Sequence, residues 1–117
     1  LIFDVGRRRT PMIVTAWKNG AHRRIGTSYG VKLEVADRDE HFDPSAESVL
    51  IQIENGSVPF CVNTKKKSLW NSTCRELISS RIREWMFETG IAPWRDNSPP
   101  SLKLEPVKSG LFRLSRK

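Results

Sequence analysis

The sequence predicts one α+β domain: a curved antiparallel sheet, or half-open barrel, of about five or six strands packed on one main helix near residues 70–89. Three observations carry this expectation. Between Ser68 and Gly90, large apolar residues fall at Trp70, Cys74, Leu77, Ile78, Ile82, Trp85 and Met86. Those steps of three and four make one helical stripe, with Asn71, Arg75, Ser79, Arg83 and Glu84 on the other faces. Second, Ser48–Glu54 and Val58–Asn63 alternate around Asn55-Gly56, the dipeptide that best signals a tight hairpin turn. Third, Leu102 and Leu104 alternate with Lys103 and Glu105, and Phe112 and Leu114 with Leu111 and Arg113, across a Ser109-Gly110 turn.

A chain of 117 residues is the size of one domain with a single modest core. Apolar residues make up 38%, with four Trp and five Phe supplying bulk. Lys and Arg number 20 against 13 Asp and Glu, a net charge of +7. Polyanions, either nucleic acid (DNA or RNA) or an anionic surface, are therefore the first partners to consider, and a soluble basic protein is the plainer alternative. No apolar run is long enough to cross a bilayer and no secretory signal is present, so the expected compartment is the cytoplasm and no membrane partner is expected.

Residues 1–12 read as a leader or a basic arm, with Arg7, Arg8 and Arg9 able to meet phosphates, and residues 13–117 as the domain. Met12–Trp17 is the first strand, rich in β-branched residues, followed by turn chemistry at Lys18-Asn19-Gly20. Ala21–Ser28 is either a return strand or a loop, and Tyr29–Val35 is a strand. Asp37–Asp43 is a charged connector or a single helical turn, with Arg38 pairing locally. Its four acids and His41 lack the glycine and the late glutamate of a calcium loop, and no metal or cofactor is expected.

The central segment allows two readings. Either one helix runs through it, with Thr73 and Glu76 as a capping box, or a short turn precedes a main helix that begins near Ser79-Ser80. Trp85 is an interior anchor in both, and Gly90 suits the C-terminal cap. Trp94, among prolines 93, 99 and 100, is expected to fold over the core as a lid, the alternative being an exposed contact. Cys61, in an apolar run, and Cys74, on the helical stripe, read as small buried residues with free thiols.

The landmarks YGVKL at 29–33, DRDEHF at 37–42, WxxxCxEL at 70–77, GIAPW at 90–94, PP at 99–100 and LFRL at 111–114 together resemble a group of short uncharacterised bacterial proteins over roughly residues 25–115. The resemblance implies shared packing and favours Met12 as a start; it implies no activity.

Catalytic constellations are sparse. GTSYG at 26–30 lacks the spacing and the Gly-Lys-Ser/Thr of a phosphate loop. His22 and His41, set among charges, are expected to be exposed and poorly suited to a nucleophile relay. Asp43, Glu54 and Lys65 are the loose candidates for a metal-dependent nuclease, the least favoured reading. The remaining signal is basic: Lys65, Lys66 and Lys67 before the helix, Arg75 and Arg83 eight apart on one helical face, and Arg23 and Arg24 near Trp17 and Tyr29. Cations interleaved with aromatics suit phosphate contact and base stacking, without any sequence-reading signature. The sequence thus favours a non-enzymatic nucleic-acid-binding module. A protein-interaction module using Trp94 and Arg95 in the Pro-rich loop is the alternative.

Overall fold

The structure is a computed structural model and describes residues 10–22, 24–54, 56–95 and 97–117. Arg7, Arg8, Arg9 and Arg23, and the Asn55 half of the hairpin turn, lie outside the described residues. The elements are β1 (Met12–Lys18), β2 (Tyr29–Lys32), α1 (Val35–His41), β3 (Ser48–Ile53), β4 (Phe60–Asn63), α2 (Lys67–Trp70), β5 (Glu76–Ile78), α3 (Ser80–Glu88), β6 (Ser101–Lys108) and β7 (Leu111–Arg116). The fold is α+β, as the sequence predicts. The strands form one sheet of order β4-β3-β7-β6-β1-β2-β5. It curls so far that its two edges, β4 and β5, come close without pairing.

The strand count and the helix both need correction. Among the described residues seven strands form, not five or six, and the added one lies inside the stretch read as a helix of residues 70–89. Asn71 ends that helix early. Its Oδ1 accepts the amide hydrogens of Thr73 at 2.9 Å and Cys74 at 2.7 Å, a local side-chain turn that competes with helical pairing. Arg75 then takes φ 52°, and its N–H donates to the Ser68 carbonyl at 2.8 Å. The chain leaves this turn extended, and Glu76, the expected capping-box partner of Thr73, becomes the first residue of β5. Leu77 packs into the core all the same, because an apolar residue serves a strand as readily as a helix.

The second reading locates the true helix. Ser79 caps α3, its Oγ accepting the Arg81 N–H at 3.1 Å, and Ile82, Trp85 and Met86 turn inward. Trp85 is buried, and its indole N–H donates to Glu54 Oε2 at 3.3 Å.

The sheet is also mixed. Six neighbouring pairs include one that is parallel, β3 beside β7, with Ile51 opposite Phe112 and Ile53 opposite Leu114. Alternation reveals which face a residue occupies but not the direction of the neighbouring strand, so this pairing was invisible in the sequence. The inner face carries Met12, Val14, Val31, Val49, Ile51, Leu102, Leu104 and Leu114, all buried. Phe42 closes over Phe112, ring centroids 4.8 Å apart and the ring planes nearly parallel.

The charged connector is a two-turn helix, α1, and Arg38 on it is buried. Its Nη1 donates to the carbonyls of Leu69 at 3.1 Å and Asn71 at 2.7 Å, its guanidinium lies over Trp70, and its Nε pairs with Asp39 as the sequence suggested. Residues 21–22 and 24–28 form a loop, the second of the two readings. β2 stops at Lys32, short of the expected Val35, which is exposed on α1. Both cysteines are free but neither is buried: Cys61 is exposed on the outer face of β4 and Cys74 is half-buried in the Asn71 turn. Val58 is likewise exposed rather than aligned with Val62. No described helix is long and apolar enough to cross a membrane.

Two outcomes follow from this packing. Trp85→Ala should lower stability by about 3–5 kcal/mol, read as a shift of the denaturant midpoint; an unmoved midpoint contradicts the burial of its ring. The second concerns acid. Burial pushes the Glu54 carboxyl up, but the Arg116 amide, the Arg116 guanidinium and the Trp85 indole together hold it below its ordinary 4.5. A carboxyl depressed in the folded state contributes stability above its unfolded value and loses it as pH falls through the folded one. Glu54→Gln should therefore reduce stability at neutral pH and flatten the fall that begins as pH drops below about 4.5, measured by chemical denaturation across that range.

Candidate nucleic-acid interface

β1 alternates between the core and solvent: Met12, Val14 and Ala16 are buried, while Ile13, Thr15 and Trp17 point outward. Thr15 lies opposite Lys32 on β2, and Trp17 opposite Gly30. Opposed residues of a pair share a face, so Trp17 and Lys32 stand on one outer surface. Gly30 is itself buried, covered by β5. A Cβ there would sit 1.8 Å from the Leu77 carbonyl oxygen of β5, so only glycine lets the two backbones approach.

One wall of the resulting groove is Arg75. Its left-handed backbone turns the side chain back so that Nε donates to the Leu33 carbonyl at 2.8 Å and Nη1 to the Ser72 carbonyl. The other wall comes from the chain after α3, through Trp94, Asn97 and Pro99, with Asn97 also in the left-handed region at φ 62°. Two non-glycine residues held there cost some backbone energy, and both line the same groove. The segment is held at both ends. The Trp94 N–H donates to His22 Nε2 at 3.1 Å, and the Ala16 N–H donates to the Pro100 carbonyl at 2.9 Å.

That first contact fixes the histidine. Nε2 is an acceptor, so Nδ1 carries the hydrogen and donates to Tyr29 Oη at 2.9 Å, and the Tyr29 hydroxyl donates to the His22 carbonyl at 3.3 Å. The Trp94 ring meets His22 edge-on at 4.5 Å and Tyr29 at 6.0 Å. Burial raises the Tyr29 hydroxyl above its ordinary value against the opposing charge of Arg83, so it stays a neutral donor. His22 is thus half-buried in an aromatic cluster rather than exposed among charges, and Trp94 packs on the core as the lid reading expected. His41 is also largely covered, beside Glu40 at 3.7 Å.

The groove encloses about 480 Å³, the size of a small-ligand site. Its charged lining is Lys18, Lys32 and Arg75 against Glu34, and its aromatic lining is Trp17 and Trp94. Lys18 Nζ donates to the Gly20 carbonyl at 2.6 Å, and Arg75 donates only to carbonyls, so neither charge is neutralised. Among the described residues the Lys32 ammonium has no hydrogen-bond or ion-pair partner.

Of the residues singled out from sequence, Arg75 and Trp94 line the groove. Arg75 and Arg83 do not share a helical face, since Arg75 precedes β5 and Arg83 is on α3. Arg83 lies over the rings of Tyr29 and Phe87 at 5.7 and 5.1 Å. Lys65 and Lys67 are exposed outside the groove, whereas Lys66 pairs with the buried Glu76 at 3.6 Å. Arg24 and Arg95 are exposed beyond the lining, and Arg23 lies outside the described residues.

The nuclease set does not converge. Glu54 follows one end of the β3–β4 hairpin and is taken by Arg116, while Lys65 follows the other end, where Ser48 faces Asn63, about 20 Å of strand away. Asp43 accepts from the Ser45 amide and hydroxyl, which hold it below its ordinary value. Among the described residues no three His, Cys, Asp or Glu side chains gather as metal ligands would.

Sequence reasoning missed Trp17, Lys18 and Lys32 as groove residues. One signal was available: Trp17 occupies the solvent phase of an alternating strand, where a large aromatic has no core to fill. Comparison with family models, with curated proteins and with solved structures finds no match for the chain.

Gly30→Ala tests the groove floor. The added methyl forces β5 off β2, so stability should fall by roughly 1–3 kcal/mol and Trp17 and Trp94 emission should shift toward that of exposed indole. Unchanged stability and emission would show that the two backbones are not in contact.

Proposed function

We propose that this chain is a non-enzymatic nucleic-acid-binding module and that it holds its polyanion in the groove between the β1–β2 surface and the wall formed by Trp94, Asn97 and Pro99. The observation that supports this reading is the joining, among the described residues, of two indoles and three cations against one carboxylate in a single concave site. Phosphates need cations that are not already paired with a carboxylate, and Lys18, Lys32 and Arg75 have no carboxylate partner among the described residues. Indole faces add an attraction to bases that tolerates any sequence. The net charge of +7 draws polyanions toward the surface from a distance. Exposed Lys65 and Lys67 serve as peripheral phosphate contacts on this reading, and Lys66 contributes less because Glu76 already holds it.

The docking alternative through Trp94 is less well supported. Its ring packs edge-on against His22 and Tyr29 and lines the groove rather than projecting from the surface, so it meets a base inside the groove but does not insert into a partner's pocket.

The test is a gel shift or heparin elution between about 50 and about 200 mM salt. Binding should weaken steeply over that range, and Lys32→Ala should flatten the log–log slope by about 0.7–0.9 while leaving stability within about 0.5 kcal/mol. A natively folded protein that binds no nucleic acid at the lower salt, or a Lys32→Ala protein with an unchanged slope, would overturn the reading.

A further inference from the structure

We infer that the polymer is single-stranded, with unpaired bases stacked against Trp17 and Trp94 and a phosphate at Lys32. This inference rests on the reading of the groove as a nucleic-acid site and names the form it takes. The site is concave, and its indoles are half-buried within it. In a duplex the base faces are covered by their neighbours, so only an unpaired base can offer a face to an indole.

Reading a duplex requires a projecting helix or ribbon that enters a groove of about 12 Å. The outward arginines of α3 do not project in that way: Arg81 lies over Phe60 at 5.4 Å and Arg83 over Tyr29 and Phe87. The groove, by contrast, holds hydrogen-bonding groups with no partner among the described residues: the indole N–H groups of Trp17 and Trp94, the Asn97 amide and the Lys32 ammonium. The exposed edges of unpaired bases supply donors and acceptors for them.

The floor also separates the indole from the cation. The pair Trp17–Gly30 and the pair Thr15–Lys32 are two residues apart, about 7 Å along the strand, so the indole end and the cation end engage successive nucleotides. Beyond Lys32, its cross-strand neighbour Glu76 is paired by Lys66, which carries the basic track off the groove toward Lys65 and Lys67.

The experiment is a tryptophan-fluorescence titration with a mixed-sequence strand of about 12 nucleotides, within the size of such sites. The strand is offered as DNA, as RNA, as the blunt DNA duplex and as its component mononucleotides. The single strand should quench emission and bind at least about ten-fold tighter than the duplex or any mononucleotide, the DNA and RNA arms showing which sugar is preferred. Trp17→Ala should cost roughly ten-fold in affinity with the salt slope unchanged, Trp17→Phe should recover most of it, and Lys32→Ala should reduce the slope by about 0.7. Duplex binding as tight as the strand, with the same dependence on Lys32, overturns the single-strand inference and leaves the nucleic-acid reading standing. Mononucleotides as tight as the strand overturn the polymer. Absence of binding by every form, with native fluorescence and stability, overturns both.

Discussion

Strand β5 can lie where it does only because residue 30 has no side chain. The Leu77 carbonyl oxygen occupies the space a Cβ would take, and Ile78 crosses just beyond it. Were β5 displaced, β2 would become a sheet edge and Arg75, one residue before β5, would lose its place as a groove wall. Glu76 would lose the burial that holds it against Lys66. The seam between β4 and β5, which makes the sheet nearly a barrel, would open as well. The same position faces Trp17 across the β1–β2 pair. One missing methyl therefore serves the core and the candidate site together.

The cations divide into those used by the fold and those left for a ligand. Arg38 is buried and braces the end of α2 through two carbonyls. Arg116 ties down Glu54, Lys66 offsets Glu76, and Arg83 covers two rings. A buried or half-buried guanidinium bound to carbonyls relieves polar groups that would otherwise be unpaired. Net charge alone cannot distinguish these from Lys32, which faces the groove without a partner among the described residues. Only position separates a structural cation from one that can meet a phosphate.

The Asn71 turn shows how a short polar side chain overrides a long apolar pattern. The stripe from Trp70 to Met86 is genuine in the sense that Leu77, Ile82, Trp85 and Met86 all reach the core. They reach it from a strand and a helix joined at Ser79, because two amide hydrogens captured by Asn71 stop α2 and Ser79 starts α3 afresh. Cys74 fell outside the core for the same reason, since it sits in the turn rather than on a helix face.

The sequence by itself determined what is local. Alternation marked the β3–β4 hairpin and the β6–β7 pair, Ser79 marked a helix start, and Trp85 was recognisable as an anchor because apolar spacing and capping chemistry act within a few residues. Tertiary structure alone decided which strands became neighbours, the parallel placement of β3 beside β7, and the curl that brings β4 near β5. It also decided the groove, whose members come from β1, β2, the residue before β5 and the segment after α3. Trp17 and Trp94 stand 77 residues apart in the numbering, and no local rule relates them. Side-chain chemistry near each residue is written in the chain, but the convergence of distant side chains depends on strand order and register, which only the packed core selects.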